Sequence, residues 1–186
     1  PGTGLSGGLT PAGRELVAEM DRLNMILDVT HLTDEGFLEA TSLFKGPVWA
    51  SHHNCRALVT HQRQLTDDQI KILLERDAVI GGVLDTWMLT NDWVRGKDDP
   101  KERGVNLGKL ADHYDHICQL AGNSLHIAIG SDLDGAYGKE QSPYDLEDIS
   151  DLQNLKSLLT TRGYKQEDIE NIFHNNWLRF LRKAWK

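Results

Sequence analysis

The sequence predicts an α/β fold in which about four parallel strands alternate with helices. Short apolar runs alternate along the chain with segments of helical periodicity, which is the pattern of parallel strands joined by crossover helices. Three of these apolar runs end at His31, His52 and Asp132. Folds of this class carry their chemistry at the carboxyl ends of the strands. Because imidazole and carboxylate are common metal ligands, the leading hypothesis is a metal site at that rim.

The strands are predicted from short apolar runs that end in a polar cluster. The first run, Met25-Ile-Leu-Asp-Val-Thr-His31, is apolar up to its end except for Asp28. Such continuous apolar runs are typical of strands that are buried on both faces of a parallel sheet. We expect strands at 25–31, 47–51, 78–84 and 125–131.

The helices are predicted from apolar residues at helical spacing and from their start and stop signals. Thr10 followed by Pro11 is a good N-cap with proline at the first helical position. Thr66 begins a capping-box pattern, and Gly122 ends a histidine-rich helix. We expect helices over 11–24, 33–44, 67–76, 106–121, 145–162 and 166–184.

Two long loops are expected at the same rim as the histidines. Residues 53–64 are polar and poorly periodic, and residues 85–103 carry many charges without periodicity. The second loop also holds large side chains, which either line a substrate pocket or form the loop's own hydrophobic cluster: Trp87, Met88 and Trp93.

Length and charge set limits on the function. The chain is long enough for one domain, 1–186, with a real core. Lys and Arg number 20 against 28 Asp and Glu, and the net charge of −8 argues against a nucleic-acid surface and favours a soluble protein.

Cytoplasmic and periplasmic or extracellular compartments both stay open, because the chain opens at Pro1 without an initiator Met or a visible signal peptide. The glycine-rich stretch 1–9 is expected to be a loop, and not a phosphate-binding one, because it has neither the P-loop lysine nor a preceding strand. Cys55 and Cys118 form no metal or disulfide pattern and are expected to be small buried residues or free thiols.

Several motifs together resemble the membrane (renal-type) dipeptidases, peptidase family M19 of the amidohydrolase superfamily. Each motif alone is a weak signal, but their order is specific and the matched pieces cover nearly the whole chain. They correspond to the C-terminal half of the family. The motifs are Asp28-Val-Thr-His31, Ser51-His-His-Asn54, Arg63, Asp112-His-Tyr-Asp-His-Ile117, Gly130-Ser-Asp-Leu-Asp-Gly135 and Asn176-Trp-Leu-Arg179.

The resemblance implies a (β/α)8 metallohydrolase barrel that binds two zinc ions bridged by a hydroxide. By position, His31 and His52 match the two histidine ligands of one zinc. Asp132 matches the carboxylate of the last strand, which contacts the metal site and handles the proton. Arg63 matches the basic residue that holds the terminal carboxylate of the substrate. The implied activity is hydrolysis of the peptide bond of dipeptides by metal-activated water.

The chain lacks other residues that the family uses. A His-x-Asp pair, a metal-bridging Glu and a further active-site His would all lie in a region that this chain does not contain. Four strands are predicted where the barrel needs eight, which gives the same result independently. We therefore expect a fragment, a truncated product or one half of a split barrel, which holds one zinc or none by itself. Its open end strands predict a homo-oligomer or pairing with the missing N-terminal half.

Alternatives remain at the level of sequence. The chain is a zinc dipeptidase or part of one, a non-catalytic dipeptidase-like module that binds a partner or oligomerises, or an amidohydrolase that acts on a non-peptide amide or lactone. Arg63 is either the substrate-binding residue or an ordinary surface arginine. Four other histidines are expected to serve as loop or packing residues rather than ligands, and Asp134 is expected to have a structural role in its loop. These histidines are His53, His61, His113 and His116.

Overall fold

The computed structural model describes residues 4–133 and 135–185, so the structural role expected for Asp134 and part of the 1–9 loop lie outside the described residues. The described chain contains four strands and seven α-helices. The strands are β1 (Leu27–Asp28), β2 (Val48–Trp49), β3 (Ile80–Val83) and β4 (Ile127–Ser131). The helices are α1 (Pro11–Arg22), α2 (Asp34–Leu43), α3 (Asp67–Glu75), α4 (Leu107–Ala121), α5 (Asn154–Thr161), α6 (Gln166–Glu170) and α7 (Asn176–Ala184).

All four strands are parallel and follow one another in space in the order of the chain. β1 pairs with β2, and β3 pairs with β4. Ala50 joins the two pairs, because its N–H donates to the Val79 carbonyl at 3.0 Å and its carbonyl accepts from the Gly81 N–H at 2.8 Å. The predicted α/β class with parallel strands is confirmed. The strands are shorter than predicted, since hydrogen bonds to side chains replace the strand ladder where the polar clusters begin.

Residues on the two faces of the sheet pack into two different clusters. Leu27, Val48, Ile80 and Ile127 belong to the large core between the sheet and the surrounding helices. The adjacent residues along each strand point to the opposite face, as the two-residue period of a strand requires. There they meet the C-terminal segment in a smaller cluster of Val79, Ala128 and Phe180 with Ile26, Trp49 and Trp177 packed against it. Both faces of the sheet are therefore covered, which explains why the strands are almost entirely apolar.

The caps that the sequence predicted define the helix boundaries. The Thr10 hydroxyl accepts from the Gly13 N–H at 3.1 Å and starts α1. Thr66 and Gln69 form the reciprocal capping box of α3. Gly122 follows α4 with φ of 70°, a left-handed conformation that glycine adopts without strain. These local signals therefore placed the first four helices to within one or two residues.

The two C-terminal helices differ from the prediction. Residues 145–148 are not helical, and a 3₁₀ segment (Ile149–Gln153) precedes α5 because Asp148 caps it through the Ser150 N–H at 2.8 Å. A π-helical turn (Asn171–Asn175) separates α6 from α7. Apolar spacing alone does not distinguish such a turn from a continuous α-helix.

The two long loops contain little regular structure. Residues 53–64 form turns, and in the second loop a 3₁₀ turn (Thr86–Met88) is the main element within 85–103. Both loops follow the carboxyl ends of strands, as predicted. Nowhere in 4–133 or 135–185 is there a helix with the length and apolar character needed to cross a bilayer.

Candidate active site

His31 and His52 lie side by side beyond the ends of β1 and β2. Their Nε2 atoms are 3.0 Å apart. The ring planes are inclined at 65° with centroids 5.0 Å apart. Because β1 and β2 are parallel neighbours, residues that follow them by the same number of positions meet at one rim. The structure thus brings together the two histidines that the strand-end pattern selected.

Asp132 joins this pair from the end of β4. Its Oδ2 atom lies 3.8 Å from Nε2 of His52. Asp132 and His31 both have left-handed backbones, with φ of 59° and 70°. Such conformations are uncommon for residues other than glycine and are concentrated at functional sites, where the surrounding structure holds them. The two turns direct these side chains toward the same rim.

Asp28 organises the ends of β1 and β2. Its Oδ1 atom accepts from the N–H groups of Thr30 at 3.0 Å and Ser51 at 3.2 Å. The Ser51 hydroxyl in turn lies 2.9 Å from Nδ1 of His52. This contact fixes the ring so that Nε2 faces His31. The sequence placed Asp28 in a motif, but this role was not predicted. A carboxylate inside an otherwise apolar strand was the feature that could have indicated it.

Arg63 reaches the histidine pair from the loop after β2. It is 4% exposed, so the interpretation as an ordinary surface arginine is wrong. Its Nη1 atom lies 2.9 Å from Nε2 of His53, and its Nη2 donates to the His52 carbonyl at 3.2 Å. Nη2 also lies 3.4 Å from Nε2 of His31. The guanidinium is therefore part of the rim.

Burial lowers the pKa of two imidazoles at the rim, those of His52 and His53. Burial lowers the pKa of His52, and the Asp132 carboxylate opposes this effect. Burial, followed by the charge of Arg63, holds the pKa of His53 well below its usual range. Burial lowers the pKa of Arg63 to about 10, which leaves the guanidinium protonated at neutral pH. Neutral imidazole is the form that binds metals.

The histidine pair fits two positions of a zinc site. With zinc–nitrogen bonds of about 2.0–2.1 Å, two nitrogens of a tetrahedral site lie about 3.3 Å apart, close to the observed separation. Over residues 4–133 and 135–185, however, no group of three or more His, Cys, Asp or Glu side chains is close enough to hold a metal. Among the described residues, the histidine pair therefore accounts for two positions of such a site.

Three further histidines contact loop and helix residues around the site, as the sequence predicted for them. His113 is buried in α4 and accepts from the Cys55 N–H at 3.1 Å through Nδ1. His116 contacts Oδ1 of Asp67 at 2.8 Å through Nε2. The loop residue His61 accepts from the Arg63 N–H at 3.0 Å. Cys55 is a buried free thiol, as expected, and Cys118 is a half-buried one.

Asn54 is a residue whose importance sequence reasoning missed. It is fully buried. Its Nδ2 donates to the carbonyls of Val83 at 3.0 Å and Met88 at 3.1 Å, and its Oδ1 accepts from the Val83 N–H at 3.1 Å. These bonds join the loop after β2, which carries Arg63, to the end of β3. In the sequence, the feature that could have indicated this role was a polar residue two positions after His52.

Parallel strands that bring two imidazoles, a carboxylate and a buried guanidinium to one rim are typical of metal-dependent hydrolases. Comparison with known proteins agrees with this class. The model of the membrane dipeptidase family (peptidase family M19) matches residues 2–186, and the chain belongs to that family.

Curated relatives cover the chain almost completely. It is 33% identical over 177 residues to dipeptidase tcpJ of Claviceps purpurea. This match covers 95% of this chain and 39% of the relative. It is 32% identical over 179 residues to an uncharacterized protein from the pqqA 5′ region of Klebsiella pneumoniae, covering 96% of this chain and 62% of the relative. The chain thus spans about half the length of these relatives.

A solved structure gives the same result for the fold. The chain matches a metallopeptidase from Rhodobacter sphaeroides, liganded with a phosphinate mimic of the dipeptide L-Ala-D-Ala, with a TM-score of 0.85 and 31% identity. The match covers 100% of this chain and 50% of that chain. The family resemblance seen in the sequence is confirmed.

Proposed function

We propose that this chain is the C-terminal half of a zinc-dependent dipeptidase with a (β/α)8 barrel, and that the rim of β1 to β4 hydrolyses the peptide bond of dipeptides. The observation that carries the proposal is the facing pair of Nε2 atoms 3.0 Å apart, with the Asp132 carboxylate 3.8 Å from His52. Family membership and coverage of about half of each relative support it.

His31 and His52 are the proposed zinc ligands. Their Nε2 atoms face each other, and Ser51 holds His52 through the other ring nitrogen. A zinc ion held by these residues would activate a water and polarise the scissile carbonyl. One zinc or none is expected in this chain alone, because the described residues provide only part of a ligand set.

Asp132 is the proposed general base and acid. A carboxylate beside the reacting water accepts its proton and passes that proton to the leaving amine. The position of Oδ2, near His52 but outside hydrogen-bond distance, supports this role. The carboxylate is thus free of a strong bond to that ring and available to a proton from another donor.

Arg63 is the proposed site for the terminal carboxylate of the substrate. A guanidinium binds a carboxylate through two parallel hydrogen bonds. Asp132 and Asp28 act on the buried Arg63 through their charge, yet neither is within 4.0 Å of it among the ion pairs of the described residues. A buried cation without a direct anionic partner is costly, and a substrate carboxylate would supply that partner.

The edges of the sheet suggest how the barrel is completed. Within the described residues, β1 pairs only with β2 and β4 only with β3. The outer edge of β4 is covered by the C-terminal segment, because Asn176 and Trp177 donate to the carbonyls of Ile127 at 2.8 Å and Ile129 at 3.0 Å. A closed barrel needs partner strands at both edges, so the edges of β1 and β4 are the proposed sites of pairing with the N-terminal half, and the edge of β1 is the proposed site for a second copy.

Zinc content tests the proposed ligands. We compare the purified chain with a His31→Ala, His52→Ala double variant by elemental analysis after dialysis against zinc. A His116→Ala, His174→Ala double variant is the matched control, because it removes the same number of histidines at positions away from the rim. We expect zinc in the wild type and the control and its loss from the first variant. Equal zinc contents in all three proteins would contradict the assignment.

A further inference from the structure

A cavity of about 540 Å³ lies between the two long loops. The loop after β2 contributes Val59 and His61, and the loop after β3 contributes Trp87, Thr90 and Trp93. This volume is within the range of ligand sites in proteins. Because both loops follow the carboxyl ends of strands, the cavity is on the same side of the sheet as the histidine pair.

Hydrogen bonds fix the walls of the cavity. Nε1 of Trp87 donates to Oδ2 of Asp85 at 2.6 Å, and the ring of His61 lies edge-on to the Trp87 indole with centroids 4.6 Å apart. Asn91 joins the two loops by accepting from the Thr60 N–H at 2.8 Å and donating to the Leu58 carbonyl at 3.1 Å. These bonds tie the two loops to each other around the cavity.

Ring-bearing side chains line part of the cavity, and its cationic side chain already has a partner. Trp87, Trp93 and His61 provide ring surfaces. Arg95 also lines the cavity, but it donates to Gln141 at 2.7 Å and lies 3.7 Å from the Asp85 carboxylate. Such walls favour an aromatic group, because ring pairs add attraction beyond the apolar area that they bury.

The cavity adjoins the residue proposed to hold the substrate carboxylate. The Arg63 N–H donates to Nδ1 of His61, a wall residue, while the Arg63 guanidinium reaches His31. The carboxylate and the side chain of a C-terminal residue share one α-carbon. A carboxylate held by the Arg63 guanidinium lies about one arginine side chain away from this wall, and a phenylalanine side chain on the adjoining α-carbon is long enough to span that distance.

We propose that the cavity between residues 59–61 and 87–95 binds the side chain of the C-terminal residue of the dipeptide, with a preference for aromatic side chains. This inference rests on the proposed function, since it assumes that Arg63 holds the terminal carboxylate. Met88, which the sequence grouped with the two tryptophans, is 2% exposed and belongs to the packed interior.

Four peptides separate the cavity from the carboxylate site: Gly-Phe, Gly-Ala and the C-terminal amide of each. Affinities are measured by isothermal titration calorimetry with the full chain in buffer containing EDTA, so that no peptide is hydrolysed. Burial of the phenyl ring predicts that Gly-Phe binds at least about tenfold more tightly than Gly-Ala. The same ratio is expected for the two amides, while the carboxylate contact makes each acid bind more tightly than its amide.

A cavity-filling substitution, Thr90→Tyr, is expected to reduce the Gly-Phe to Gly-Ala ratio to within about twofold without changing the affinity for Gly-Ala. Thr160→Tyr, on the exposed side of α5, makes the same chemical change elsewhere and is expected to keep the ratio. Trp87→Leu is a second variant that removes a wall instead of filling the space, and it too lowers the ratio.

The outcomes distinguish the two proposals. Equal binding of Gly-Phe and Gly-Ala, no measurable binding of Gly-Phe, or an unchanged ratio in Thr90→Tyr overturns the cavity assignment. Equal binding of acids and amides, with the phenylalanine preference intact, instead overturns the role of Arg63 and leaves the cavity as an aromatic site.

Discussion

Replacement of Asn54 by alanine is predicted to destabilise the fold strongly, because this side chain satisfies buried backbone groups. The substitution removes three hydrogen bonds. The Met88 carbonyl keeps a second donor, since Nε2 of Gln64 lies 2.7 Å from it. The N–H and the carbonyl of Val83 lose this partner. A buried polar group without a partner costs about 1–3 kcal/mol, so the two groups together cost about 2–6 kcal/mol.

The control for this prediction is Asn91→Ala. Asn91 also links the loops after β2 and β3 through two hydrogen bonds to backbone groups, but it is exposed. Water replaces its bonds, and the expected loss is below about 1 kcal/mol. Urea unfolding followed by circular dichroism measures both variants. The reasoning would be refuted by a loss below about 1 kcal/mol for Asn54→Ala, or by equal losses for the two variants.

Three further predictions follow from the structure. Burial lowers the pKa of His113 to about 3. Below about pH 6.5, His113 therefore binds a proton in the unfolded state but not in the folded state. The free energy of unfolding falls as the pH drops through this range, by up to about 1.4 kcal/mol per pH unit from this group. His113→Gln should have a shallower dependence of the urea midpoint between pH 7 and pH 5, and an unchanged slope would contradict this. Asp132→Asn is expected to reduce dipeptide hydrolysis by about 10²–10⁴-fold at unchanged zinc content; retained activity would exclude Asp132 as the proton carrier. The open edge of β1 predicts an oligomer of the isolated chain in gel filtration, and a stable monomer would count against the half barrel.

The elements that the sequence predicted well are those defined by local chemistry. Thr10, Thr66 and Gly122 set helix boundaries through hydrogen bonds within a few residues of themselves, so their signals are legible without tertiary structure. Strand lengths were less predictable. The runs at 25–31 and 47–51 reduce to pairs of ladder residues, because a strand extends only as far as its neighbour does.

The candidate site was predictable in its residues and not in its contacts. Strand-end patterns and motifs selected His31, His52, Asp132 and Arg63, and the structure places them at one rim. The burial of Arg63 against His53 depends on the conformation of an irregular loop, which apolar periodicity does not encode. The bonds of Asn54 likewise depend on residues about 30 positions away in sequence, at the end of β3.

The most direct test of the central claim is a crystal structure of the chain grown with zinc, with anomalous diffraction recorded on both sides of the zinc absorption edge. The proposed function predicts an anomalous peak about 2.0–2.1 Å from Nε2 of both His31 and His52. An absence of any peak between these two atoms, or a peak held by other histidines, would contradict the assignment of this rim as a zinc site.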